Sequence, residues 1–146
     1  MKERYKQVQS VSGSCMLIKR SVIDRIGLLD ERFFAYYEDS DFCLRATRAG
    51  FNVVASRNAR IRHKMKNTLG SRTPQAYYIY VRNQPLFMIK NCPWIFWPDY
   101  FAMYLLKALA RIAYFSVTGR PDIAGAVKNG LVDAFSRNFG KGRVFG

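Results

Sequence analysis

Three carboxylates within four residues directly follow a run of aromatic side chains in the stretch FFAYYEDSDFCLRATRAG, residues 33–50. They are Glu38, Asp39 and Asp41. Their structural interpretation is that acids at a helix start complement the helix dipole and satisfy its first N–H groups. Their chemical interpretation is that desolvation on a partly apolar wall, together with mutual repulsion, raises the pKa of one acid and produces a usable general base. The residue pattern alone leaves both interpretations open.

The pattern around the acids predicts a helix that is capped by Asp39 or Ser40 and that ends at Gly50, where glycine permits the left-handed conformation. Apolar side chains at spacings of four and three mark the stripe that we expect to be buried: Phe42, Ala46 and Ala49. The opposite stripe is expected to face solvent and contains Asp41 and Arg45. Arg45 suits a phosphate contact, but an ion pair with Asp41 one turn earlier is the preferred interpretation.

Two other features near the acids suit a binding role. Tyr36 and Tyr37 precede the acids directly, and their rings suit either stacking on a ligand or core packing. The segment VSGSCMLIK, residues 11–19, is predicted as a strand interrupted by Gly13. Glycine at that position allows either a close approach of a ligand or a simple bulge.

The composition predicts a folded domain with an anionic partner. The chain has 146 residues, 49% of them hydrophobic, which is enough for one core and argues against disorder. Its 24 Lys and Arg against 10 acids give a net charge of +14, which suits lipid headgroups, a phosphorylated substrate or nucleic acid. Three cysteines without a CxxC pair favour packed thiols in a reduced, cytosolic setting.

Shorter elements are predicted on both sides of the central helix. A helix is expected at residues 21–27, with Ser21 and Asp24 in capping-box positions and Gly27 as its stop. Strands are expected at residues 51–55 and 59–63, the second ending at His63, which is the one histidine of the chain. Residues 1–10 are expected to form a polar connection, and residues 64–74 a loop.

The C-terminal half is predicted to be helical. Helices are expected at residues 75–90, where Pro85 would kink or divide the helix, and at residues 122–139. Between them, residues 94–117 are long enough to span a bilayer but include Asp99, Lys107 and Arg111. Aromatic residues interleaved with cations favour an interfacial helix, while a packed core helix and a membrane span remain the alternatives.

The order of these motifs resembles the C-terminal half of the catalytic domain of family 2 glycosyltransferases. The stretch that carries the resemblance is VSGSCMLIKRSVIDRIGLLDERFFAYYEDSDFCLRATRAGFNVV, followed by His63. Within the family it is most similar to rhamnosyltransferase-like and galactofuranosyltransferase-like enzymes of bacterial polysaccharide assembly. The resemblance implies an α/β fold, a partial GT-A-like sandwich over residues 1–70, followed by a helical, membrane-proximal extension over residues 71–146.

The resemblance also implies roles for individual residues. Asp39 matches the base that takes a proton from the acceptor hydroxyl in an inverting displacement at the anomeric carbon. Four residues would contribute to acceptor binding: Glu38, Tyr37, Asp41 and Gly13. His63 would be a ligand of a divalent metal, Mg²⁺ or Mn²⁺, that neutralises the departing diphosphate.

The implied partners are a nucleotide-sugar donor, a glycan or polyprenyl-linked acceptor and an anionic membrane surface, without nucleic acid. No Asp-x-Asp motif precedes residue 11, and a whole GT-A domain needs roughly another hundred residues. We therefore expect an acceptor-and-base half that lacks its donor-binding half and shows little transfer alone. The expected location is cytoplasmic, peripheral at the inner face of the plasma membrane. The alternative is a non-catalytic basic protein that binds membranes or nucleic acid.

Overall fold

The computed structural model describes residues 5–62 and 73–142. The described residues form two compact units. Residues 5–31 and 38–62 belong to the first unit, and residues 32–37 and 73–142 belong to the second. Residues 32–37 therefore pack with the C-terminal helices, although they lie within the predicted N-terminal half.

The first unit consists of a two-stranded sheet and two helices. Strand β1 (Tyr5–Gln7) pairs antiparallel with strand β2 (Val54–Ser56), so that Lys6 faces Ala55. The strand expected at residues 11–19 is wrong, because its centre forms a 3-10 turn at Gly13–Cys15. The connection expected at residues 1–10 is also wrong where it contains β1. The described residues are mostly helical and contain a single two-stranded sheet, so the partial GT-A-like sandwich expected over residues 1–70 stays a prediction.

Helix α1 (Arg20–Ile26) and helix α2 (Glu38–Arg48) lie close to their predicted positions. Both predicted glycine stops have positive φ angles, +76° at Gly27 and +89° at Gly50, as the left-handed conformation requires. The capping box predicted for α1 is wrong: Lys19 is the N-cap, and Asp24 instead accepts a hydrogen bond from Arg20 Nε at 2.8 Å.

A small hydrophobic core supports α2 from the side of α1. Its buried members are Val22, Phe42 and Ala46, and four partly buried side chains pack against them: Met16, Ile18, Ile26 and Phe51. This stripe of α2 was predicted from the spacing of its apolar residues. The core fixes the helix whose first turn carries the acids.

Three helices make up most of the second unit: α3 (Pro74–Asn91), α4 (Trp97–Val117) and α5 (Pro121–Phe135). A 3-10 turn at Trp94–Phe96 leads into α4. Their shared core contains Val81, Tyr104, Ala108, Ile123 and Val127. Gly130 of α5 lies against the backbone of Tyr78, where a Cβ atom would be 2.6 Å from the carbonyl oxygen. Glycine therefore permits the close approach of α5 to α3.

Pro85 lies inside α3 without dividing it. Proline has no N–H group, so the carbonyl four residues earlier, that of Val81, loses its helical donor. The hydroxyl of Tyr104 on α4 donates to this carbonyl oxygen at 3.0 Å. A tertiary contact thus replaces the missing hydrogen bond, which explains why the helix continues through the proline.

Candidate acid site at the start of helix α2

Glu38 and Asp39 occupy the first turn of α2, so the cap predicted at Asp39 or Ser40 is wrong: the helix already includes both residues. Three hydrogen bonds hold the Asp39 carboxylate. Oδ1 accepts from the Ser40 amide at 2.7 Å and from the Ser40 hydroxyl at 3.3 Å, and Oδ2 accepts from the Gly13 amide at 3.0 Å. A carboxylate has about four acceptor positions, so a lone pair of Oδ2 is left for a further donor. The hydrogen bonds orient the group.

Glu38 has a different environment from its neighbour. Its Oε2 atom is buried and has no hydrogen-bond partner among the described residues. Burial raises the pKa of Glu38, and the negative charge of Asp39 raises it further, while a backbone hydrogen bond acts in the opposite direction. An unsatisfied buried carboxyl oxygen is costly, so a proton or a ligand group at this position stabilises it.

Gly13 lies directly beside both acids. A Cβ atom built on Gly13 would be 3.7 Å from Asp39 Cβ and 3.9 Å from Glu38 Oε1. These are ordinary contact distances, so alanine fits sterically but would occupy space next to the carboxylates. The backbone of Gly13 thus lies beside the acids, in a 3-10 turn instead of a strand, and its contact with a ligand stays a prediction.

Asp41 does not belong to this site, which corrects the expectation from the sequence. Its side chain has no exposed surface, and Oδ2 accepts from Arg45 Nε at 2.9 Å. Arg45 also donates to the carbonyl oxygens of Ile26 at 2.6 Å and Leu28 at 2.8 Å. The preferred interpretation of Arg45, an ion pair with Asp41, is confirmed. Arg45 covers Asp41, and the stripe predicted to face solvent is buried at this point.

Tyr37 lies in the second unit, where its ring packs against Tyr80 and Phe87 at centroid distances of 5.3 and 5.1 Å. Burial and a hydrogen bond with Tyr80 raise the pKa of Tyr37. These contacts account for core packing, which was one of the two open interpretations. A contact between Tyr37 and an acceptor stays a prediction.

The segment that ends at Tyr37 has an unusual backbone that the sequence did not indicate. Phe34, Tyr36 and Tyr37 have φ angles of 61°, 61° and 75°, a left-handed conformation that is strained for bulky residues. The buried side chain of Asn83 on α3 holds this segment. Its amide nitrogen donates to the carbonyl oxygens of Phe33 and Ala35, both at 2.7 Å, and of Tyr36 at 3.0 Å.

His63, the predicted metal ligand, lies outside the described residues. Within residues 5–62 and 73–142, no group of three or more His, Cys, Asp or Glu side chains converges. The described residues therefore do not make up a metal site by themselves. The Mg²⁺ or Mn²⁺ ion stays a prediction that depends on His63.

Comparison with known proteins identifies the family. A family model described as "Glycosyl transferase family group 2" matches residues 1–121. The low-salt glycan biosynthesis hexosyltransferase Agl10 of Haloferax volcanii is 50% identical over 48 residues, which cover 33% of this chain and 16% of that protein. The N-acetylglucosaminyl-diphospho-decaprenol L-rhamnosyltransferase of Mycobacterium tuberculosis is 38% identical over 60 residues, which cover 41% of this chain and 20% of that protein.

The aligned segments thus span a fifth or less of each relative. No solved structure matches the chain significantly. The family model covers most of the chain and confirms the resemblance stated from the motifs. The chain belongs to glycosyl transferase family group 2.

Proposed function

We propose that this chain acts in transferring a sugar from a nucleotide-sugar donor to a glycan or lipid-linked acceptor, with inversion at the anomeric carbon. The observation that carries the proposal is the acid pair at the start of α2. Asp39 is oriented by two backbone amides and one hydroxyl, and beside it Glu38 has a buried oxygen without a partner among the described residues. Family membership makes sugar transfer the reaction class to test.

In the proposed reaction Asp39 is the general base. The acceptor hydroxyl donates its hydrogen bond to Oδ2, where a lone pair is left, and its proton passes to this carboxylate as the oxygen bonds to the anomeric carbon. The bond from that carbon to the nucleoside diphosphate breaks, and the diphosphate leaves with the electron pair. Glu38, whose buried Oε2 has no partner among the described residues, contacts another hydroxyl group of the acceptor.

The remaining parts of the proposal depend on the family and its named members. The mycobacterial relative, by its name, acts on a lipid-linked acceptor, N-acetylglucosaminyl-diphospho-decaprenol. We extend that acceptor class to this chain, together with a hexosyl or rhamnosyl donor, a GT-A-like architecture and a role in polysaccharide assembly. A divalent cation, with His63 as a ligand, and a peripheral location at the inner face of the plasma membrane complete the proposal.

Acceptor binding tests the proposed site without requiring turnover. The ¹⁵N-labelled chain is titrated with N-acetylglucosaminyl diphosphate that carries a short prenyl chain. We expect the amide signals of Gly13 and Ser40 to shift, because both amides bond to Asp39. Gly13→Ala places a methyl group beside both carboxylates and is expected to weaken binding about tenfold, the low end of the effect of one misplaced methyl group.

Gly125→Ala on α5 is the matched control, because no atom lies within 4 Å of its Cβ position. It is expected to bind the acceptor like the unmodified chain. Equal affinities for the Gly13 and Gly125 variants, or shifts confined to other residues, would contradict the placement of the acceptor at the acid pair.

A further inference from the structure

Helix α4 has an apolar face that the rest of the second unit leaves uncovered. Its large hydrophobic side chains on this face are between 37% and 83% exposed: Met103, Leu105, Leu106, Leu109, Tyr114 and Val117. We name these six residues the outer face of α4. Contiguous exposed apolar patches on a folded protein indicate a surface for interaction.

The opposite stripe of the same helix is already occupied by protein. Tyr104 and Ala108 are buried in the core with Ile123 and Val127 of α5, and further side chains of the stripe are partly buried. One side of α4 thus packs on helix α5, while the other side presents leucines to solvent. Within the described residues, Trp94–Val117 is also the one segment that is apolar and long enough to cross a membrane by length and composition.

Large aromatic and aliphatic side chains extend the outer face beyond the start of α4. In the 3-10 turn before the helix, Trp94 is 72% exposed, Ile95 61% and Phe96 57%. Trp side chains favour the boundary between water and lipid, because the ring is apolar and the indole N–H is polar.

Cations border the outer face. Lys107, the central residue of α4, is exposed, and it follows Leu106 by 100° around the helix. Arg111 lies one turn further along the same border, with its guanidinium 5.8 Å from the centre of the Tyr80 ring. The described residues of the second unit contain nine Lys and Arg against three Asp, so the unit is complementary to an anionic surface.

We propose that the outer face of α4 and the turn Trp94–Phe96 bind an anionic lipid surface, with the helix axis in the plane of the headgroups. An in-plane helix buries one face and keeps its border cations at the headgroups. A spanning helix would instead place Lys107 at the centre of the bilayer, which is costly. The inference rests on the peripheral membrane location proposed above and names the surface for it, but it can fail without the sugar transfer, because it involves none of the residues of the acid pair.

Vesicle binding tests this surface. The chain is mixed with vesicles of phosphatidylcholine alone or of equal parts phosphatidylcholine and phosphatidylglycerol, and flotation gives the bound fraction. We expect binding to the anionic vesicles, with a blue shift of the tryptophan emission, because both tryptophans of the chain lie at the start of α4. Depth is measured at the centre of the helix with Leu106→Trp in a chain that also carries Trp94→Phe and Trp97→Phe, and lipids brominated near the headgroup should quench its emission more strongly than lipids brominated at the chain ends.

Charge substitutions identify the surface. Leu106→Glu is expected to weaken binding at least about tenfold, since burial of a leucine contributes more than that factor. Leu17→Glu is the matched control, because Leu17 is fully exposed and lies in the first unit. Lys107→Gln is expected to weaken binding to anionic vesicles about fivefold, the contribution of one cation near the surface. Circular dichroism checks that each variant keeps its helix content.

Three results would overturn the proposal. The first is equal binding by the Leu106 and Leu17 variants. The second is stronger quenching of the Leu106→Trp variant by bromine at the chain ends, which indicates a spanning helix. The third is a concentration-dependent dimer in the absence of lipid that Leu106→Glu dissociates while vesicle binding stays unchanged, which indicates that a second copy covers the face.

Discussion

Glu38 and Asp39 are neighbours in the sequence, yet their carboxylates have different surroundings. Asp39 accepts three hydrogen bonds, whereas one oxygen of Glu38 is buried without a partner among the described residues. Two acids in unlike environments suit different roles. We therefore propose Asp39 as the base and an acceptor-binding role for Glu38.

The raised pKa of Glu38 predicts a pH dependence of stability. The folded protein holds this proton more tightly than the unfolded chain does, so the contribution to stability is full below the ordinary value of 4.5 and is lost as the pH rises through the raised pKa. Glu38→Gln lacks this titration. The free energy of unfolding of the variant, relative to the unmodified chain, is therefore expected to increase from pH 4.5 toward neutral pH.

Urea unfolding at a series of pH values measures this difference. Glu31→Gln, at an exposed position, controls for the loss of one negative charge. A difference for Glu38→Gln that stays constant with pH, or that matches the Glu31 variant, would show that burial of Glu38 does not affect its titration.

The acid site was predictable only in part at the level of residues. The carboxylates near a helix start are local features, and the sequence placed the helix correctly to within a few residues, although its cap was predicted one or two residues too late. The burial of Asp41 was not predictable, because it depends on Arg45 reaching two carbonyl groups that lie 17 and 19 residues away in the chain. Spacing within one helix cannot show what covers its polar stripe.

At the level of elements, the hydroxyl of Tyr104 supports α3 at its internal proline. Tyr104→Phe removes the donor to the Val81 carbonyl and leaves a buried acceptor without its partner. We expect the free energy of unfolding to fall by about 1–3 kcal/mol. Tyr114→Phe removes the same atom from a side chain that is 60% exposed, and a change of about 0.5 kcal/mol or less is expected.

Chemical denaturation of the two variants measures this difference. Equal stabilities for the Tyr104 and Tyr114 variants would mean that another group satisfies the Val81 carbonyl once the hydroxyl is gone.

Helices were more predictable than strands in this chain. Helices α1 and α2 have apolar spacing and glycine stops within their own sequence, so local information defines them. Strand β1 forms only by pairing with β2, about 50 residues later, and its three residues have no apolar alternation of their own. The left-handed backbone of the aromatic residues before α2 was also not predictable from the sequence. Hydrogen bonds from Asn83 stabilise this backbone conformation, which bulky aromatic residues disfavour by themselves.

At the level of the whole molecule, chemistry and lipid binding are assigned to different units. The acid pair lies in the first unit and the outer face of α4 in the second. The order of the motifs predicted the family, and the family model confirms it. The net charge predicted an anionic partner. It did not predict where on the molecule that partner would bind, because the proposed surface depends on which side of α4 packs on the core.

The role of Asp39 as general base is the central claim, and transfer kinetics test it most directly. The chain is assayed with labelled nucleotide-sugar and the prenyl-linked acceptor, with and without the donor-binding half that the resemblance implies, and acceptor affinity is measured separately. Asp39→Asn keeps the shape of the side chain but cannot take the proton. We expect acceptor affinity to change little and the rate of the chemical step to fall about 10²–10⁴-fold. A rate within a few fold of the unmodified enzyme would contradict the account.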